Sequence, residues 1–79
     1  MQDLTSVKAG KTVKVSEIHA GRNLINKLEA LGIRPGVTIK KISSQIMHGP
    51  IIVKVGQSQI AIGFGMAQRI MVESEKISG

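Results

Sequence analysis

The side chains able to do acid–base or metal chemistry are few and scattered. His19 and His48 are the only histidines, and the 79-residue sequence contains no cysteine. The acids are Asp3, Glu17, Glu29, Glu73 and Glu75. A metal site needs three or four ligands in matched geometry. His19 and His48 fall in different loops of the reading given below, so either would need a carboxylate, Met47 or a second chain to complete a shell. No cofactor is implied. Without cysteine, disulfides, thiolate nucleophiles and cysteine-ligated zinc are excluded. Paired carboxylates for general acid–base work are limited to Glu73 and Glu75, whose position reads as a solvated strand edge. HExxH, P-loop and GxSxG patterns are absent. Gly63-Phe64-Gly65 lacks GxGxxG spacing and reads as backbone kinking around a core phenylalanine. The inventory argues against an enzyme.

Binding chemistry is better represented. Eleven Lys and Arg against five Asp and Glu give a net charge of +6. Such a balance suits nucleic acid, an anionic membrane face or an acidic protein. Phe64 is the sole aromatic among Phe, Tyr and Trp. Bases stacked on aromatic rings hold most single strands, and aromatic grooves hold proline-rich peptides, so both modes are disfavoured. A basic nucleic-acid-binding module is the alternative to a protein-binding role. The start, MQDLTSVKAGK, has no long apolar segment, and no apolar run approaches the roughly 20 residues that span a bilayer. A soluble, cytoplasmic protein without direct membrane insertion is expected.

These residues must be positioned by a single small domain, with a core over about residues 4–73 and a frayed tail over 74–79. Leu4 and Val7 are expected to seal one end of the core. Val13 and Val15 alternate with Thr12 and Lys14, as in a strand with one wet face; a bulge is expected near Ser16-Glu17. Arg22 to Leu31 reads as an amphipathic helix. Leu24, Leu28 and Leu31 make its apolar stripe, with Ile25 on the flank. Leu28 and Leu31 are expected to be buried, Leu24 and Ile25 to protrude, and Arg22, Asn26 and Glu29 to face outward. Gly32 stands at a left-handed cap, and Pro35-Gly36 fits a type II turn. A second strand starts at Val37. Its parity changes between Val37 and Ile39 on one face and Ile42 and Ile46 on the other, which predicts an exposed kink at Lys40-Lys41. Ile51, Val53 and Val55, then Ile60, Ile62 and Phe64, then Ile70 and Val72 alternate as three further strands. Met66 is expected in the core. The sum is a mainly β, small SH3-like barrel of about five strands, with one short helix between the first and second.

The order of these signals resembles the FeoA family. The resemblance rests on Leu4, Val7 and Gly10; on Leu28-Glu29-Ala30-Leu31-Gly32-Ile33 running into Arg34-Pro35-Gly36-Val37; and on Gly49-Pro50-Ile51-Ile52-Val53, Ile60-Ala61-Ile62-Gly63 and Met66-Ala67 before Ile70-Met71-Val72. It implies an SH3-like fold, no catalytic activity and a part in bacterial ferrous iron transport. It also implies a partner, FeoB, through its cytosolic GTPase domain or its membrane part, and with it a place at the inner face of the cell membrane. Transition metal binding enters as a family association without agreed ligands. The candidate partner contacts are Arg22, Leu24, Ile25, Asn26, Glu29, Arg34, Lys40 and Lys41. An unpaired sheet edge would permit a homodimer.

Overall fold

The computed structural model describes residues 2–44 and 47–74. Among these, six strands form one antiparallel sheet: β1 (Gln2–Asp3), β2 (Thr12–Ile18), β3 (Thr38–Ser44), β4 (Ile51–Val55), β5 (Ser58–Ile62) and β6 (Ile70–Ser74). The order across the sheet is β1-β6-β2-β3-β4-β5. A 3-10 turn, Leu4–Ser6, follows β1; helix α1 (Arg22–Ala30) joins β2 to β3; a one-turn helix α2 (Phe64–Ala67) joins β5 to β6. The expected architecture is therefore present, with a sixth strand added at the amino terminus. The sheet curls around its core without closing, because no ladder joins β5 to β1 among the described residues. No helix among them is long and apolar enough to cross a membrane.

The core is assembled from the alternations that the sequence displays. Val13 and Val15, Ile39, Ile51 and Val53, Ile62, and Ile70 and Val72 all point inward and are buried. Leu4 and Val7 close one end, as expected, and Leu28 and Ile33 close another. Met66 and Phe64 are half-buried and pack on this cluster. With no Trp or Tyr to fill volume, branched aliphatics do the packing. The β2–β6 register shifts between Val15 and Glu17, where a bulge was expected. The β3–β4 register shifts between Lys41 and Ser43. The proposed parity partner Ile46 and the tail residues 75–79 lie outside the described residues, whereas Ser74, read as tail, ends β6.

Lys41 departs most from expectation. It is not an exposed kink: it continues the inward parity of Ile39 and is 1% exposed. Its side chain reaches the amino-terminal strap. The ammonium donates to the carbonyl oxygens of Leu4 (3.2 Å), Thr5 (3.2 Å) and Val7 (2.5 Å). A four-carbon stem packs as an aliphatic side chain, and the three carbonyls, two in the 3-10 turn and one on Val7 just after it, supply the acceptors that a buried ammonium requires. Backbone bonds from Gly10 N to Lys41 O (2.6 Å) and from Lys41 N to Lys11 O (2.9 Å) fasten the other end of the strap. Asp3 caps the 3-10 turn through Thr5 N at 2.8 Å.

Burial lowers the Lys41 pKa below its ordinary 10.5, and the carboxylate of Asp3 offsets part of that effect. A depressed folded-state pKa means that the unfolded chain binds this proton more tightly. The contribution of this group to stability is thus full above 10.5 and declines as the pH falls through the folded value. Replacing Lys41 by Met should cost about 2–4 kcal/mol, because the carbonyls of Thr5 and Val7 lose their donor and that of Leu4 keeps only Val7 N. Urea denaturation of K41M beside K40M checks this. K40M should stay within about 0.5 kcal/mol of the parent, and the gap between parent and K41M should widen as the pH is raised toward 10.5. A K41M midpoint equal to the parent's would refute the role given to the strap.

Candidate partner-binding surface

The helix and the turn after it place most of the candidate contacts. Helix α1 starts at Gly21, whose extended backbone caps it without a side-chain hydrogen bond. It ends in a paired closure: Ile33 N donates to Leu28 O (2.9 Å) and Gly32 N to Glu29 O (2.9 Å). This is the Schellman arrangement, which joins a left-handed residue to an apolar contact across the helix end. Gly32 provides the left-handed residue at φ 87°. Ile33 and Leu28, both buried, provide the contact. Ile33 therefore takes the core place expected for Leu31, which is 41% exposed. Leu24 also differs from expectation, being half-buried against the core.

The turn beyond is held as tightly. Val37 N donates to Arg34 O (3.1 Å) across Pro35-Gly36, and Gly36 has φ 94°. This matches a type II turn. Gly36 N to Val15 O and Val15 N to Val37 O, each 2.8 Å, hook the turn onto β2. The helix is thus fixed beside the strand that follows.

Helical spacing brings Arg22, Ile25, Asn26 and Glu29 onto one side of α1. Arg22, Asn26 and Glu29 are exposed and Ile25 is half-buried. Arg34, also exposed, stands in the turn just past the helix end. Ile25 is the apolar side chain of this mixed-charge surface, whereas Leu31 falls on the other side of the helix. Lys40 is exposed but belongs to the outer face of β3, opposite Thr12 and Lys54. Lys41 is buried in the strap contact and offers nothing to a partner.

The two histidines are engaged separately. His19 Nε2 lies 2.7 Å from Glu17 Oε2, and both side chains are more than half exposed. His48 stacks on Phe64, with ring centroids 4.4 Å apart. That stack went unread in the sequence, although a lone aromatic ring and a turn histidine were its available signal. Met47 and His48 both adopt positive φ, 65° and 63°. Among the described residues, no group of three or more His, Asp or Glu is placed to hold a metal ion. A shallow cleft of 360 Å³ opens between the strap and β2, lined in part by Gln2, Ser6, Lys8, Lys11, Thr12 and Ser74.

A small open antiparallel sheet braced by one short helix is the SH3-like architecture of FeoA-type domains. Residues 2–74 match the FeoA domain model, and the chain belongs to that family. A relative from Methanocaldococcus jannaschii, provisionally named Fe(2+) transport protein A, is 39% identical across the whole of this chain and 94% of its own length. The crystal structure of an iron uptake regulatory protein (FeoA) is 39% identical, with a TM-score of 0.82 over 91% of this chain and 93% of the other. A manganese-dependent transcriptional repressor shares the fold at 23% identity, with a TM-score of 0.85; the match takes in 94% of this chain and 41% of the repressor.

The helix closure has a direct test. A Cβ on Gly32 would lie 3.3 Å from Val55 Cγ1, on a backbone that L side chains rarely adopt. Gly32→Ala should therefore lower stability by about 1–2 kcal/mol. Gly63→Ala, where nothing lies within 4 Å and φ is −60°, should change it by less than about 1 kcal/mol. Thermal unfolding of the two variants side by side separates them; equal midpoints would contradict the assignment.

Proposed function

We propose that this chain is a non-enzymatic accessory protein of ferrous iron uptake that binds FeoB at the cytoplasmic side and supports or regulates it. The observation that carries the reading is the family match over residues 2–74, joined to a relative of nearly equal length named for Fe(2+) transport. The geometry supports a contact role. The helix flank offers Arg22, Asn26, Glu29 and Arg34 around the half-buried Ile25. Arginine is favoured at interfaces because its planar fork pairs with carboxylates in two-point fashion. A net charge of +6 would speed encounter with an acidic partner surface.

Binding of the purified chain to the FeoB cytosolic domain, and to the full-length transporter in detergent, tests the proposal. Association is expected with at least one of them. Arg22→Glu or Arg34→Glu should weaken it by about tenfold, the effect of some 1.4 kcal/mol. Ile25→Ala should weaken it without altering its salt dependence. No association with either form at tens of micromolar would overturn the proposal.

A further inference from the structure

The register of the sheet collects lysines on its outer face. Thr12 of β2 pairs with Lys40 of β3, Lys40 with Lys54 of β4, and Lys54 with Gln59 of β5. Lys14 lies two residues along β2, opposite Thr38 on one side and Glu73 on the other. All these side chains are exposed, while the alternate residues Val13, Val15, Ile39 and Val53 are buried. Like charges directly opposite on neighbouring strands repel, and Lys40 and Lys54 are placed so. Among the described residues of this face, Glu73 stands beside Lys14 and Glu17 stands farther along β2 opposite Met71, neither of them beside that pair. Thr12 also borders the cleft that holds Lys8 and Lys11, so the basic surface continues to the edge of the strap.

Three lysines, Lys14, Lys40 and Lys54, lie on the face itself, and two more, Lys8 and Lys11, line the adjoining cleft. The arginines lie elsewhere: Arg22 opens α1, Arg34 sits in the turn after it, and Arg69 precedes β6. Lysine is a hydrated point charge on a flexible stem, suited to a diffuse anionic field. Arginine is suited to fixed two-point recognition. No aromatic ring lies on the face to stack a base, and its larger apolar side chain, Ile52, is half-buried. Clusters of four to eight cationic residues are what the negative potential of an anionic leaflet attracts.

We propose that the outer face of β2, β3 and β4, with Lys8, Lys11, Lys14, Lys40 and Lys54, is an electrostatic docking surface for the anionic headgroups of a lipid bilayer. The contact is peripheral and inserts no segment. It would leave the other kind of cation, the arginines of the helix flank, free for a protein.

Co-sedimentation of the full chain with vesicles tests this, and no partner protein is present, so the outcome is independent of FeoB binding. The chain should sediment with vesicles of phosphatidylglycerol and phosphatidylcholine in equal parts. It should remain in solution with phosphatidylcholine alone, and should be released at about 0.5 M salt, where the Debye length falls below about 5 Å. Each lysine near such a surface contributes about a fivefold factor. The double variant K40Q/K54Q should therefore bind about 25-fold more weakly. R22Q/R34Q removes the same net charge and should bind within about twofold of the parent. K14Q/K40Q, as a second variant of the face, should follow K40Q/K54Q, with thermal midpoints confirming that each is folded. No binding to the anionic vesicles, or equal losses from the lysine and arginine variants, would overturn the proposal. So would preferential binding to duplex DNA that strips the chain from vesicles.

Discussion

One buried ammonium holds the amino-terminal part of the molecule to the sheet. Lys41 reaches from the third strand to two carbonyls of the 3-10 turn and to that of Val7 just after it, and this contact ties Leu4 and Val7 to the core. The strap itself has little regular structure: a two-residue strand, one tight turn and a loop to Gly10. Without Lys41 the carbonyl of Val7 would face the interior without a donor, a cost that folded proteins rarely tolerate. A lysine can satisfy several acceptors at once because its ammonium carries three protons. The same placement explains why the two adjacent lysines have opposite fates. Lys40 is turned outward by strand alternation and Lys41 inward.

Much of the architecture is visible in local patterns. Val13 with Val15, Ile51 with Val53, and Ile70 with Val72 announce strands because each pair is separated by a more exposed residue, and all six are buried. Gly32, Pro35 and Gly36 announce the switch from helix to strand because left-handed and turn geometry is demanded there. What the sequence conceals depends on contacts distant along the chain. The pairing of Gln2 with Val72 has no local signature in two residues. The inward path of Lys41 is encoded by carbonyls 34 to 37 residues away. The exchange of Leu31 for Ile33 follows from the helix closure, in which the residue after the glycine folds back onto the helix while the residue before it stays on the rim.

The candidate surfaces divide in the same way. Arg22, Asn26 and Glu29 can be placed outward from helical periodicity alone. Arg34 follows, since a proline-glycine turn faces solvent. The alignment of Lys40 with Lys54 could not be read, because it depends on the register of two strands joined by a long hairpin and on a shift in that register. A single-residue slip would have separated those charges. The separation of lysines from arginines is thus a property of the folded sheet and not of any stretch of sequence.

The first and last strands lie side by side, Gln2 against Val72 and Asp3 against Met71. A unit whose two ends meet can be spliced into a longer polypeptide without disturbing its interior. The repressor that devotes 41% of its length to this fold is consistent with such reuse. It also allows the chain to be rewired. A short bridge from β6 to β1, with new termini cut at the tight Gly56-Gln57 bend between paired Val55 and Ser58, would keep every ladder of the sheet. Such a circular permutant would make the β1–β6 pairing local and the β4–β5 hairpin the most distant pairing, exchanging which ladder carries the larger loop-closure cost.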